Sequence, residues 1–111
     1  PSSVHWAGES INQDIETARK NIAKSLNCNA DEIYFTSCGT ESNNWIIKMS
    51  ALTSGKKTGH IITTKVEHPA VLETCKFLEK HGIKVTYLNV DSNGNLDIEE
   101  FENSINENTV L

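Results

Sequence analysis

The chemistry-bearing residues of this chain fall in two short segments. One is Thr36-Ser37-Cys38-Gly39-Thr40-Glu41-Ser42-Asn43-Asn44, set between the apolar Ile33-Tyr34-Phe35 and Trp45-Ile46-Ile47. The other is Glu67-His68-Pro69-Ala70-Val71. A small-residue turn between a strand and a helix points backbone N–H groups and a hydroxyl outward at a helix N-terminus, where unpaired donors and the helix dipole favour an anion. Phosphate is the natural guest: Gly39 lets the backbone approach closely, and the Thr40 hydroxyl and amide can donate to phosphate oxygens. The same residues also suit a plain helix start, because threonine caps helices and Glu41 complements the dipole. In the second segment Pro69 pushes His68 into extended backbone and makes it the last residue before a helix, where a histidine is locally no more than a cap.

The elements that must position these residues are legible from periodicity. Ser10-Ile11-Asn12-Gln13 reads as a capping box, and Ile11, Ile15, Ala18, Ile22 and Leu26 form one stripe, which predicts a helix over residues 10–26. A strand is expected over 32–36, a helix over 41–52 and a polar loop over 53–59. His60-Ile61-Ile62-Thr63-Thr64 reads as a strand rich in β-branched residues. Its helix begins at Pro69 and ends at Gly82, which supplies a left-handed cap. Ile83, Val85 and Tyr87 alternate in a third strand. Asn93-Gly94 predicts a type I′-like turn, Asp97 caps a short helix, and Thr109 opens a fourth strand. Strand and helix therefore alternate, the signature of an α/β fold with a largely parallel sheet and helices on both faces. Ligands in such sheets gather beyond the carboxyl ends of the strands, where both segments fall.

Composition narrows the function classes. The 111 residues carry ten basic and fifteen acidic side chains, a formal charge of −5. The basic residues are scattered, so no stripe exists to neutralise nucleic-acid phosphates. No apolar run approaches the roughly 20 residues needed to span a bilayer, so a soluble protein without a membrane partner is expected. The three cysteines are odd in number and widely spaced, which predicts reduced thiols in a cytoplasmic protein and no metal site. Asp91, Asn93, Asn95 and Glu102 fall at offsets like those of a calcium loop. Leu96, however, stands where that loop needs glycine, and a turn followed by a helix cap accounts for the stretch.

Taken together, Pro1-Ser2-Ser3 with His5 and Gly8, the Thr36–Asn44 turn, Ile61-Ile62-Thr63-Thr64 leading to Glu67-His68, and Val90-Asp91 with Asn93-Gly94 resemble the cysteine desulfurases. These are pyridoxal-phosphate enzymes of the class V aminotransferase-like family. The resemblance implies the aminotransferase-like (fold type I) large domain, in three layers, of which residues 1–111 would be an incomplete cofactor-binding segment of a homodimeric enzyme; nine lysines to one arginine, with many Asn and Ile, point by composition alone to an AT-rich bacterial genome. It implies that Gly39 and Thr40 hold the phosphate of pyridoxal 5′-phosphate, and that His68 stacks on its pyridine ring and moves a proton with the substrate. Cys38 stands where many family members have glycine. It is a wall of the phosphate loop, not the persulfide-forming cysteine, and cysteine tolerates a positive φ poorly. The implied reaction removes sulfur from L-cysteine as an enzyme persulfide and leaves L-alanine, supplying a sulfur acceptor or iron–sulfur scaffold protein. The family's Schiff-base lysine, its pyridinium-pairing aspartate and its loop cysteine have no match here, and Lys65 lacks the lysine's motif, so these residues alone should be inactive. Selenocysteine lyase, another class V enzyme, or a non-catalytic module for a phosphate-bearing ligand are the alternative readings.

Overall fold

The computed structural model describes residues 6–56 and 58–111, so Pro1-Ser2-Ser3 and His5 of the leading motif lie outside the described residues. The chain divides into two compact units, residues 1–35 and 36–111.

The first unit is one long helix and a turn. Helix α1 runs Trp6–Leu26, starting four residues before the expected cap, so Ser10 lies inside the helix and caps nothing. Glu9 in the first turn complements the dipole instead. Asn27 takes a left-handed φ of 54°. The amides of Asn27 and Cys28 then return to the carbonyls of Lys24 and Ala23, closing the helix as glycine usually does. The expected stripe stays largely uncovered: Ile11, Ile22 and Leu26 are exposed, and Ala23 is the buried residue. A helix and one turn offer too little apolar surface to cover it.

The strand expected over 32–36 is replaced by a single 3₁₀ turn at Ala30–Glu32 and an extended tail. Asn29 and Glu32 close a capping box, with the Asn29 amide donating to Glu32 Oε2 at 2.7 Å. Ile33 is extended, at φ −97° and ψ 123°. Ile33 therefore has strand-like backbone, and residues 33–35 have no ladder partner among the described residues. The Ile33 carbonyl is taken by the Arg19 guanidinium, which also lies 5.0 Å from the Phe35 ring centroid.

The second unit is the α/β part. Helix α2 spans Gly39–Thr53 and strand β1 His60–Thr64. Helix α3 spans Pro69–Glu79, strand β2 Lys84–Leu88 and helix α4 Ile98–Ser104. β1 and β2 pair in parallel with Ile61 opposite Val85. Thr109 forms a parallel bridge on the other side of β1, extended by bonds from Val110 N–H to the His60 carbonyl and from Ile62 N–H to the Leu111 carbonyl. β1 is thus central, and Thr109 does begin a sheet partner. Ile61 packs with Ile47 and Ala51 of α2, Cys75 and Leu78 of α3, and Ile83, with Val85 and Tyr87 against them. α3 closes as the glycine rule requires. Gly82 has φ +88°, and the amides of Gly82 and Ile83 return to Glu79 and Leu78.

The Asn93-Gly94 turn departs from expectation. A type I′ turn needs positive φ at both central residues, but only Gly94 has it, at +85°. Asp91 instead organises the loop. Its carbonyl accepts the Gly94 amide, and its carboxylate accepts the amides of Asn93 and Asn95 at 2.8 Å each. The side chain that resembled a calcium ligand is filled by its own loop.

Candidate functional site

The turn into α2 is held from both sides. Upstream, the Thr36 hydroxyl lies 2.7 Å from the Ser42 hydroxyl, pinning the approaching chain to the first turn of the helix. Downstream, the Glu41 carboxylate accepts the amide and the hydroxyl of Ser37, each at 2.7 Å. Those two bonds, the amide first, hold the Glu41 carboxyl below its ordinary pKa. The N-cap is Cys38, fully extended at φ −169° and ψ 169°. A cysteine in place of glycine therefore costs this turn no backbone strain.

Thr40 sits inside the first turn and is not the cap. Its hydroxyl has no protein hydrogen bond among the described residues, and its carbonyl accepts the Asn44 side-chain amide. The first amide bonded along the helix is Ser42, to the Cys38 carbonyl. The amides of Gly39, Thr40 and Glu41 have no oxygen acceptor among the described residues, as the first turn of any helix leaves its donors. The Cys38 sulfur lies beside them: the Glu41 amide, the Ser37 hydroxyl and the Thr40 amide lower its pKa. An added Cβ on Gly39 would meet nothing within 4 Å, so packing inside this chain does not demand glycine there. What the turn offers is a set of donors at a helix N-terminus, two of them facing the Cys38 thiol, a weak acceptor that an anion would displace.

His68 lies four residues beyond the end of β1. It is exposed, with extended backbone at φ −58° and ψ 145°, and Pro69 follows at the first helical position. Its Nδ1 accepts the Ala70 amide at 3.1 Å, so in the neutral ring the proton is on Nε2, the nitrogen left for other partners. His68 is therefore the local cap that its position suggests, with no hydrogen bond to its second nitrogen among the described residues. Nearby, Thr64 donates to Glu67 at 2.9 Å within the loop after β1, and Lys65 donates to Asn89 at 2.9 Å across the carboxyl ends of β1 and β2.

Gly39 and Thr40 are brought together at one turn, whereas His68 forms no hydrogen bond with either. The two segments are linked by the helices they open, since α2 and α3 share one apolar core through Ile47, Ala51, Cys75 and Leu78. The clamp of Ser37 by Glu41 was not foreseen. Its signal, a serine just before the cap and a glutamate in the first turn, is present in the sequence, but a first-turn glutamate is equally accounted for by the helix dipole.

With this geometry in place, the comparisons with known proteins are specific. The family model for aminotransferase class V matches residues 1–111, and the chain belongs to that family. Over all 111 residues it is 46% identical to cysteine desulfurase IscS of Clostridium botulinum strain Hall, covering 28% of that protein's length. Among solved structures, a NifS-like protein superposes with a TM-score of 0.88 at 49% identity, over 98% of this chain and 30% of that one. A structure described as SspA in complex with cysteine gives 0.87 at 40% identity, over 98% and 31%. The aminotransferase-like α/β fold is thereby established, and the chain spans under a third of the length of each of these relatives.

Proposed function

We propose that residues 1–111 are a segment of the cofactor-binding large domain of a pyridoxal-phosphate-dependent cysteine desulfurase. The observation that carries this reading is the 46% identity to such an enzyme along the entire chain. The donor set at the α2 turn supports it. Three amides and the Thr40 hydroxyl, none with an oxygen partner for its proton among the described residues, fit a phosphate group, and Gly39 carries no side chain to shield them.

In this reading Gly39 and Thr40 bind the phosphate, with Thr40 adding a hydroxyl donor to the amides. The Thr36–Ser42 and Ser37–Glu41 bonds hold the backbone of the turn in place for the anion, and the Cys38 side chain, faced by the Glu41 and Thr40 amides, turns aside to free them. His68 presents Nε2 beyond the carboxyl edge of β1, oriented by the Ala70 amide on Nδ1, where the ring can lie against a planar heterocycle and hold or move a proton. When bound, the cofactor supplies an electron sink for the substrate's developing negative charge.

The substrate assigned is L-cysteine, in keeping with the solved relative described as bound to cysteine. The products are L-alanine and an enzyme persulfide destined for a sulfur acceptor or iron–sulfur scaffold protein. A bacterial, cytoplasmic homodimer is the setting in this proposal. No helix among the described residues is long and apolar enough to cross a membrane.

The test is to assay the intact polypeptide that carries this segment for alanine and persulfide formation from L-cysteine, alongside L-selenocysteine. Turnover of cysteine with loss of activity in His68→Ala supports the reading. Turnover of selenocysteine alone would move the assignment to a lyase of the same family, and no pyridoxal-phosphate absorbance in the purified protein would overturn it.

A further inference from the structure

His60 plays no part in the proposed chemistry, yet it is the most heavily bonded buried polar side chain among the described residues. It is 4% exposed. Its Nε2 lies 2.8 Å from the Thr86 hydroxyl of β2. Its Nδ1 lies 2.9 Å from the Thr109 hydroxyl and 2.9 Å from the Asn106 side-chain nitrogen. One ring thus ties the central strand to its neighbour on one side and to the 106–111 segment on the other.

The partners determine the proton's position. Asn106 Oδ1 accepts the Asn108 amide at 2.9 Å, which fixes the side-chain amide with its nitrogen toward the ring. That nitrogen can only donate, so His60 Nδ1 must be the acceptor and Nε2–H must donate to Thr86. A proton added to Nδ1 would face the Asn106 NH₂ donor at 2.9 Å. Turning the amide round would relieve that clash only by giving up the Asn108 bond. The Thr109 hydroxyl takes the Asn106 backbone amide on one lone pair and could take Nδ1–H on the other, but the Asn106 NH₂ would still face the added proton.

We propose that His60 is a proton-sensitive latch: the neutral ring holds residues 106–111 against β1, and the protonated ring releases them while the β1–β2 pair persists. The surrounding charges favour the neutral ring. Burial and then the Lys84 ammonium of β2 both lower the His60 pKa from its ordinary 6.5. Glu79 of α3 lines the same groove, of about 560 Å³, but its carboxylate is engaged by the Tyr87 hydroxyl at 3.0 Å. In the 106–111 segment Asn106, Asn108 and Thr109 are neutral, and the Glu107 and Thr109 carbonyls take the Lys56 ammonium. Because the folded pKa is lowered, the released state binds the extra proton. The latch is at full strength above about pH 6.5 and weakens as pH falls from there to the folded-state pKa.

Hydrogen exchange on the full 111-residue chain, expressed as protection factors, tests this. Protection of the Ile62 and Val110 amides, which bond across to the segment and to β1, should fall by about tenfold per pH unit through that window. Protection of the Lys65 amide, bonded to Leu88, should hold. In Asn106→Asp one carboxylate oxygen can keep the Asn108 amide while the other accepts Nδ1–H, so the His60 pKa should rise and the acid loss should vanish. Independently, ¹⁵N shifts of the natural chain at pH 7.5 should report the Nε2–H tautomer. An Nδ1–H tautomer, a parallel loss at Lys65, or an unchanged pH profile in Asn106→Asp would each overturn the proposal.

Discussion

Glu41 reaches back over the first turn of α2 to Ser37 and takes both its amide and its hydroxyl at 2.7 Å. The bond to the amide is the larger cause of the lowered Glu41 pKa and the hydroxyl the smaller. A carboxyl lowered in the folded state stabilises the fold above its unfolded pKa and loses that contribution as pH falls through the folded value. Ser37→Ala should therefore move the Glu41 titration only part of the way back toward 4.5. ¹³C-detected NMR of the side-chain carboxyl reads this directly, and a Glu41 titration identical in the two proteins would remove the hydroxyl from the account.

The three thiols should react in a fixed order. Cys38 is exposed with a lowered pKa, Cys28 is half-buried, and Cys75 is fully buried with its pKa raised by burial and then by Glu79 and Glu67. The thiolate is the nucleophile, so iodoacetamide at neutral pH should label Cys38 first and Cys75 last, and only on unfolding. Mass mapping of a time course is the measurement, and early labelling of Cys75 in native protein would contradict the packing of α3.

What could be read from the sequence was whatever chemistry is local. Pro69, Gly82 and Asp97 mark helix ends because each acts on backbone within a few residues of itself. The Gly39-Thr40 turn was legible for the same reason. The strand expected over 32–36 does not form because a strand is defined by its ladder partner. Ser10 resembled a cap but lies inside α1, where nothing local prevents the helix from starting at Trp6. His60 gave no signal, since Thr86 and Asn106 meet it only after the chain has crossed to β2 and returned through α4.

Leu78, 1% exposed in the core shared by α2, α3 and β1, should be the costliest of the simple truncations. Leu78→Ala removes buried methyl groups and leaves a cavity, a loss of about 2–5 kcal/mol. Asp97→Ala removes the acceptor of the Glu99 and Glu100 amides at the start of α4 and should cost about 1 kcal/mol. Urea unfolding of the two variants should keep that order, and an equal loss in both would mean that the core is looser than its burial indicates.

The last expectation concerns lysine. Holding pyridoxal phosphate covalently requires one amine kept out of water and free of other partners. No described lysine meets that condition: all are exposed except Lys48, which is half-buried with its ammonium 4.9 Å from the Phe77 ring centroid. Lys65, nearest the carboxyl edge of β1, is bonded to Asn89 at 2.9 Å, and Lys76 to Glu73 at 2.7 Å. Pyridoxal phosphate followed by borohydride should therefore label this 111-residue chain diffusely, with several lysines each modified in part. At the same time, the phosphate should still perturb the Gly39 and Thr40 amides in an NMR titration, and Thr40→Val should weaken that perturbation. A single stoichiometric adduct at Lys65 would show that Asn89 positions a reactive amine, and the reading of Lys65 as a structural link between β1 and β2 would fail.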